Sequence, residues 1–136
     1  IPNFITKINE SIKKVNSGNV DLKIQGNGSE TRAFIYIDDF IEGLIKVFEK
    51  GKNLEIYNIG TNEEISIKDL AEKIGLYFNK KIKIITGDIQ KGSTKRRCPD
   101  ITKLKSLGFL PKFTLAEGIK ITSDWYTQKQ NNQIKN

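Results

Sequence analysis

Hydrophobic residues recur along this chain at the three- and four-residue spacing that is typical of amphipathic helices. Residues 3–17 carry one such apolar face, and Gly18 is expected to end that helix. A second helix is expected to be capped by Asp38 or Asp39 and to end at Gly51. The apolar positions of this second helix form one face and are Phe40, Ile41, Leu44, Ile45 and Phe48.

Three more helices are indicated further along the chain. Ser66 is a favourable N-cap for a helix that continues to residue 78. Two shorter helices are predicted at 101–107 and 114–128, separated by a segment that contains glycine and proline.

Alternating hydrophobic and polar residues predict short strands between these helices. The segments are 22–24, 33–37, 55–60 and 81–85, and the first two flank a glycine-containing turn at 26–29. Residues 86–100 are polar and aperiodic, as in a loop. The mixed order of helices and strands predicts an α/β fold.

The chain has 136 residues, of which 37% are hydrophobic, so it is long enough for one domain with a modest core. We place this domain at residues 1–130 and expect residues 131–136 to be a frayed tail. Because the chain contains no methionine and opens with Ile1, we expect it to be a fragment of a longer protein.

Positive charge is concentrated in one stretch of the sequence. Residues 80–105 contain nine basic and two acidic side chains, which accounts for the whole formal charge of +7. The rest of the chain has 14 of each sign. Such local basicity suggests an anionic ligand at one place.

Composition excludes several classes of site and of location. The single cysteine, Cys98, excludes an internal disulfide, and the lack of histidine excludes histidine-based acid–base catalysis and a conventional zinc cluster. No apolar run approaches the roughly 20 residues of a membrane span, and no secretion signal is visible. We therefore expect a soluble cytoplasmic protein without a membrane partner.

Three motif-like stretches are better explained without catalysis. The glycines at 26–31 lack the third glycine of a dinucleotide fingerprint and precede a strand, so a turn is favoured. Residues 87–94 resemble a P-loop, but the lysine after the second glycine is absent. Tyr77 and Lys81 have the spacing of a catalytic pair but straddle a helix end, so this spacing is interpreted as coincidental. Cys98 has no histidine partner and is interpreted as a passive side chain.

Anion binding is the chemistry that remains. Arg32 lies between the glycine turn and an apolar strand, and Arg96 and Arg97 lie in the polar loop. Guanidinium groups donate paired hydrogen bonds to phosphate oxygens, so two of them converging from different loops could hold a diphosphate. A solvated charge cluster is the alternative interpretation of the same residues.

Five stretches, taken in order and spacing, resemble the carboxyl-terminal part of extended short-chain dehydrogenase/reductase enzymes, the NAD-dependent epimerase/dehydratase family. They are IPNF at 1–4, GNGSETRAFIYIDD at 26–39, YNIG at 57–60, KRRCPDITKL at 95–104 with LGF at 107–109, and LAEGI at 115–119 leading to Trp125 and Tyr126. The resemblance covers nearly the whole chain.

The resemblance implies a substrate-binding lobe with a small mixed sheet and flanking helices. In that family the segment matching Leu22, Ile24 and Gln25 lines the base pocket, and the arginine matching Arg32 holds the diphosphate. Arg96 or Arg97 would also reach the diphosphate. We list these six residues as candidate substrate-binding residues.

Two further positions are compared with the family. Asp100 matches an aspartate that opens the next helix, and we interpret it as a helix cap first. The sequence departs from many family members at Gln90, where an arginine is common; Arg96 or Arg97 would then substitute for it.

By the same resemblance, NAD and the catalytic residues would belong to a missing amino-terminal Rossmann half. The expected function is nucleotide-sugar binding, with a UDP-sugar-like ligand, in an NAD-dependent epimerase or dehydratase that is not catalytic without that half and that dimerises when complete. Alone, the chain is expected to self-associate or be poorly stable, because the strand containing Tyr57 would lack parallel neighbours. The alternative is a free-standing module that binds RNA or another polyanion through residues 80–105, although few aromatic residues accompany that stretch.

Overall fold

The computed structural model describes residues 1–14, 18–89 and 91–133, which form five helices and five short strands. The helices are α1 (Pro2–Lys14), α2 (Ile37–Lys50), α3 (Ile67–Tyr77), α4 (Thr102–Ser106) and α5 (Leu115–Gln133). The strands are β1 (Val20–Lys23), β2 (Thr31–Ala33), β3 (Glu64–Ser66), β4 (Ile82–Ile85) and β5 (Arg96–Arg97). The mixed α/β order that the sequence predicts is confirmed.

The strands form two small sheets rather than one. In the first, β1 and β4 are parallel, and their register runs from Val20 opposite Ile82 to Lys23 opposite Ile85. In the second, the order is β3-β2-β5, with β2 antiparallel to β3 and parallel to β5. Both parallel pairs join segments that are distant in sequence.

The larger hydrophobic cluster packs α1, α3 and α5 around β1. Its buried side chains include Ile5 and Ile8 of α1, Leu70 and Ile74 of α3, and Ile119 of α5. Since Ile5 and Ile8 are three residues apart, and Leu70 and Ile74 four, each pair lies on one helix face. The helical periodicity of the sequence therefore predicts this cluster correctly for α1 and α3.

A smaller cluster lies between α2 and α4. Its buried members are Ile101, Leu104 and Phe109, with Ile35, Val47 and Ile59 packed at its edge. Gly43 of α2 approaches it closely, because a Cβ atom at this glycine would lie 2.8 Å from the Ile59 side chain. A residue without a side chain is therefore required where α2 meets this cluster.

Several predicted boundaries are confirmed. Ser66 caps α3, because its hydroxyl oxygen accepts a hydrogen bond of 3.0 Å from the Asp69 amide. β4 lies within the segment predicted as a strand at 81–85. α1 matches the predicted helix up to residue 14, whereas residues 15–17 lie outside the described residues.

The predicted cap of α2 is wrong. The helix begins at Ile37 after Tyr36, so Asp38 and Asp39 lie in its first turn. The carboxylate of Asp39 is buried and accepts hydrogen bonds from the backbone amides of Lys112, at 2.9 Å, and Phe113, at 3.1 Å. The Asp39 carboxylate therefore connects α2 to the segment before α5 and does not cap α2.

Two strand predictions are also wrong. β2 covers Thr31–Ala33 rather than 33–37, because pairing with β3 and β5 fixes the strand at Thr31 and Arg32. Residues 55–60 form no strand in the described part of the chain, where no neighbouring strand is available to pair with them. Alternation in the sequence predicts a strand, but a ladder requires a partner.

The carboxyl-terminal helix is longer than predicted. α5 extends to Gln133 and so includes residues 131–133, the first part of the predicted frayed tail. Residues 134–136 lie outside the described residues, as does Gln90. None of the described helices is long and apolar enough to cross a membrane.

Candidate functional site

A cavity of about 920 Å³ lies beside the ends of the parallel strands β1 and β4. Phe4 and Lys7 of α1, Gln25 after β1, and Asp88 after β4 are among the residues that line it. The wall thus combines an aromatic ring, an amide, a carboxylate and ammonium groups. Clefts at the carboxyl ends of parallel strands commonly bind ligands, because the loops that follow the strands converge there.

Backbone pairing continues past both strand ends and fixes these loops. The Ile24 amide donates to the Ile85 carbonyl at 3.0 Å, and the Gly87 amide donates to the Gly26 carbonyl at 3.2 Å. A Cβ atom at Gly87 would lie 2.7 Å from the Ile24 carbonyl oxygen. Glycine is therefore needed at position 87 for the two loops to approach one another.

The predicted glycine turn is confirmed and packs on the start of α3. Gly26 and Gly28 have φ angles of +69° and +86°, which favour glycine. The Gly28 amide donates to the Glu30 carboxylate at 3.1 Å, and the Gly28 carbonyl accepts from the Lys68 amide at 3.0 Å. The turn leads into β2, so it is not a dinucleotide fingerprint.

Arg32 lines the cavity and also holds a neighbouring loop. Its Nη1 atom donates to the carbonyl oxygens of Thr31, at 2.7 Å, and Lys95, at 3.3 Å, and its Nη2 atom donates to that of Thr94, at 2.9 Å. These bonds use three of the five N–H donors of a guanidinium group. The side chain therefore positions residues 94–95, and its contact with phosphate stays a prediction.

Arg96 and Arg97 lie in β5 and are not among the residues that line the cavity. The Nε and Nη2 atoms of Arg96 bond to the Glu64 carboxylate at 2.8 to 3.0 Å. Arg97 donates from Nε to the Thr94 hydroxyl at 2.9 Å. Both arginines thus contribute to the polar contacts that hold β5 and the loop before it.

The Glu64 carboxylate connects the three strands of the second sheet. It lies in β3 and accepts hydrogen bonds from the Thr31 hydroxyl of β2 and from Arg96 of β5. These hydrogen bonds, Thr31 first, lower the pKa of Glu64 below its usual value. The carboxylate is therefore charged at neutral pH in this arrangement.

The six predicted substrate-binding residues are only partly brought together. Ile24, Gln25 and Arg32 line the cavity. Leu22 is buried in the larger cluster, since alternate residues of β1 face the core. Ligand binding by these six residues stays a prediction.

Sequence reasoning did not identify Phe4, Lys7 or Asp88 as site residues. The sequence indicates Phe4 only as part of an apolar helix face and of the IPNF stretch, and it does not single out Lys7. The two residues are three positions apart and so share the helix face that borders the cavity. Asp88 lies in a loop without periodicity, so no local pattern distinguishes it from other polar residues. Only the pairing of β1 with β4 brings it to the cavity.

The hydrogen bond of Tyr77 supports the interpretation that its spacing from Lys81 is coincidental. The Tyr77 hydroxyl donates to the Asp124 carboxylate of α5. This hydrogen bond raises the pKa of Tyr77 above its usual value, whereas a tyrosine that acts as a base needs a lowered pKa.

Asp100 accepts a hydrogen bond of 2.8 Å from the backbone amide of Thr102, the first residue of α4. It therefore bonds to the helix start as predicted, although Ile101 is the residue that directly precedes the helix.

Comparison with known proteins matches most of the chain to one family. The sequence profile of the family described as GDP-mannose 4,6 dehydratase matches residues 2–122. GDP-L-fucose synthase 1 of Arabidopsis thaliana is 31% identical over 133 residues, which cover 98% of this chain and 40% of that protein. The human dTDP-D-glucose 4,6-dehydratase is 33% identical over 143 residues, covering 97% of this chain and 37% of that protein.

Solved structures agree with these sequence matches. The UDP-glucose 4-epimerase of Thermotoga maritima, with UDP-glucose, has a TM-score of 0.82 and 26% identity, covering 94% of this chain and 39% of that chain. The UDP-glucuronic acid 4-epimerase of Bacillus cereus, with UDP-glucuronic acid and NAD, has a TM-score of 0.78 and 28% identity, covering 92% and 40%. The chain thus spans about two fifths of the length of these relatives, and the predicted α/β fold class is confirmed.

Proposed function

Because the chain belongs to the GDP-mannose 4,6 dehydratase family, within the NAD-dependent epimerases and dehydratases of the extended short-chain reductases, we propose that it binds a nucleotide sugar. The relatives that it resembles are nucleotide-sugar enzymes. The proposed ligand is a nucleoside diphosphate sugar, and the proposed site is the cavity beside β1 and β4.

The observation that carries this proposal is the composition of the cavity wall. Arg32 supplies a guanidinium group with two donors not used by its three backbone bonds, which suits a diphosphate. Phe4 offers a ring on which a base can stack, and Gln25 offers both a donor and an acceptor for a base edge. A volume of about 920 Å³ lies within the range of ligand sites of this kind.

The glycine turn at 26–29 does not fit the phosphate site of a dinucleotide such as NAD. The glycine turn at 26–29 leads into a strand rather than into the N-terminus of a helix, where a dinucleotide phosphate would be held. Gly28 also packs against the start of α3, since a Cβ atom at Gly28 would lie 3.2 Å from the Lys68 side chain. We therefore assign no catalytic step to this chain and propose that the complete enzyme provides the cofactor site elsewhere.

Calorimetric titration of the 136-residue chain with UDP-glucose, GDP-mannose and dTDP-glucose tests the proposal. We expect one of them to bind with 1:1 stoichiometry. Arg32→Ala should weaken that binding by about 1.5 to 3 kcal/mol, the usual scale of a charged hydrogen bond. Lys105→Ala is the control, because Lys105 is exposed and is not among the residues that line the cavity.

Two results would contradict the proposal. Failure of all three nucleotide sugars to bind the folded chain would exclude the cavity as their site. If Arg32→Ala lowered the melting temperature but left the affinity unchanged, Arg32 would serve only to hold residues 94–95. Measuring the melting temperature and the affinity on the same samples separates ligand binding by Arg32 from its structural role at residues 94–95.

The polyanion-binding alternative is not favoured by a specific observation. Two of the basic residues in 80–105, Arg96 and Lys103, form ion pairs with Glu64 and Glu55. A single-stranded oligonucleotide tested in the same titrations, at two salt concentrations, distinguishes the two functions. Tight and strongly salt-dependent binding would support the alternative.

A further inference from the structure

The glycine turn at 26–29 contains the one asparagine of this sequence that a glycine follows, Asn27 before Gly28. In such a pair the backbone nitrogen of the glycine can attack the amide carbon of the asparagine side chain, because glycine has no Cβ atom to hinder the approach. The product is a succinimide ring, which water opens to aspartate or isoaspartate. Asn27 and Ser29 are exposed, so water reaches the pair. The turn therefore contains the reacting groups of a deamidation.

The attacking nitrogen is held by a carboxylate. The backbone N–H of Gly28 donates to Oε2 of Glu30 at 3.1 Å, which is the reach of a general base for the proton that it removes. Gly26 leaves room for this carboxylate, because a Cβ atom at Gly26 would overlap it. Glu30 is half-buried over the turn and is therefore placed to take the Gly28 proton as the nitrogen attacks.

The amide that is attacked is held at its oxygen. Oδ1 of Asn27 accepts hydrogen bonds from the backbone amide of Ser29, at 2.9 Å, and from the Ser29 hydroxyl, at 2.7 Å. Two donors on a carbonyl oxygen stabilise the negative charge that develops there when the carbon is attacked. They also hold the side chain close to its own backbone, which keeps the reacting groups together.

We propose that Asn27 deamidates spontaneously in the folded chain, with Glu30 as general base, and that the new carboxylate weakens anion binding in the neighbouring cavity. A bond forms between the Gly28 nitrogen and Cγ of Asn27, and the bond from Cγ to Nδ2 breaks. The Gly28 proton passes to Glu30 and then to the departing nitrogen, which leaves as ammonia, so Glu30 regains its charge. One water molecule then opens the ring.

The position of Asn27 gives the modification a consequence. Gly26 and Glu30, before and after Asn27 in the chain, line the cavity of about 920 Å³. A carboxylate in place of the neutral amide adds negative charge beside this cavity, which repels phosphate groups. Isoaspartate also lengthens the main chain by one methylene group next to Gly28, whose carbonyl accepts from the Lys68 amide at the start of α3. The effect on binding rests on the proposed function, whereas the deamidation does not.

Mass spectrometry of the ageing chain tests the deamidation. The 136-residue chain is incubated at neutral pH, digested at intervals, and the peptide that contains Asn27 is separated into amide, aspartate and isoaspartate forms. We expect Asn27 to be converted, while Asn53, which is exposed but followed by Leu54, stays an amide. The folded chain should react at least as fast as the chain unfolded in guanidinium chloride, because the turn places Glu30 and Ser29. A slower reaction in the folded chain would overturn the proposal.

Variants of the turn test the chemistry. Glu30→Gln keeps an acceptor for the Gly28 amide but removes the base, so it should slow the reaction in the folded chain at least about tenfold. Glu49→Gln is the control, because Glu49 is exposed in α2. Ser29→Ala should slow the reaction by a smaller factor, since the Ser29 backbone amide still donates. Equal rates for Glu30→Gln and Glu49→Gln, or a faster reaction in Ser29→Ala, would contradict the assigned roles.

Titration of aged and fresh chain tests the effect on the cavity. Ion exchange separates the two forms by their charge, and each is titrated with UDP-glucose, GDP-mannose and dTDP-glucose. We expect the aged chain and Asn27→Asp to bind at least about twofold more weakly, and the control Asn53→Asp to bind like the fresh chain. Equal affinity of aged and fresh chain would overturn this effect.

The two experiments fail separately. If none of the three nucleotide sugars binds the fresh chain, the proposed function and the effect on binding are both wrong, while conversion of Asn27 still establishes the deamidation. If a nucleotide sugar binds but Asn27 stays an amide, only the deamidation is wrong.

Discussion

The helices α3 and α2 have similar amphipathic sequences but very different surroundings. α3 buries Leu70, Ala71 and Ile74 in the larger cluster. α2 fully buries only Asp39 and Gly43, and its large apolar residues remain exposed. Amphipathicity therefore predicts that a helix has an apolar face, but not that the described part of the chain buries this face.

The two regions also differ in their relation to the cavity. The region of α1, α3 and the first sheet provides residues of the wall, including Phe4, Ile24 and Leu70. None of the residues that line this cavity belongs to α2. A neighbouring cavity of about 320 Å³ is lined by one residue of α2, Ile37. The larger cavity is thus lined without a contribution from α2.

The largest expected effect separates the two helices directly. Ile74→Ala should lower the free energy of unfolding by about 3 to 4 kcal/mol, because it opens a cavity at a fully buried position. Leu44→Ala is the matched variant in α2 and should change that free energy by no more than about 0.5 kcal/mol in the isolated chain. Urea unfolding followed by circular dichroism measures both. Equal losses would mean that the apolar residues of α2 are buried in the isolated chain.

A somewhat smaller effect tests how α2 is attached. Asp39→Ala should destabilise the chain by about 2 to 3 kcal/mol, because it leaves the backbone amides of Lys112 and Phe113 without the carboxyl group that accepts their hydrogen bonds. Asp38→Ala is the control, since Asp38 is exposed in the same helical turn. The same urea experiment provides the measurement. If both variants unfold alike, the buried carboxylate does not hold α2.

The smallest expected effect is a response to acid in the second sheet, where Glu64 pairs with Arg96. The pKa of Glu64 is lowered in the folded chain, so the stabilisation from its charged form is present above its ordinary pKa of 4.5 and is lost as the pH falls through the lowered value. Acid should therefore release Arg96 and loosen β5. The Arg96 side-chain NMR signal, followed from pH 7 to pH 3, reports this change.

Glu64→Gln provides the control for the acid response, because other carboxyl groups also titrate in this range. Asp100, Glu117 and Asp124 all have lowered pKa values through their own hydrogen bonds. The variant should show the loosened Arg96 signal already at pH 7. An Arg96 signal that moves identically with pH in both proteins would assign the response to a group other than Glu64.

The candidate site could be predicted only in part. The family resemblance indicates Ile24, Gln25 and Arg32, which do line the cavity. It does not indicate that Arg32 bonds to the carbonyls of residues 94 and 95, or that Arg96 pairs with Glu64. Such contacts join positions more than 30 residues apart and depend on how the strands associate.

The sequence by itself determined the local structure and the family. Helix periodicity, the Ser66 cap and the glycine turn depend on residues a few positions apart, so the chain's own pattern specifies them. Only the tertiary structure decided that β1 pairs with β4, that Asp39 is a buried acceptor, and that the large apolar residues of α2, such as Leu44 and Phe48, are exposed. The physical reason is that strand pairing and burial depend on which distant surfaces meet, which no local spacing records.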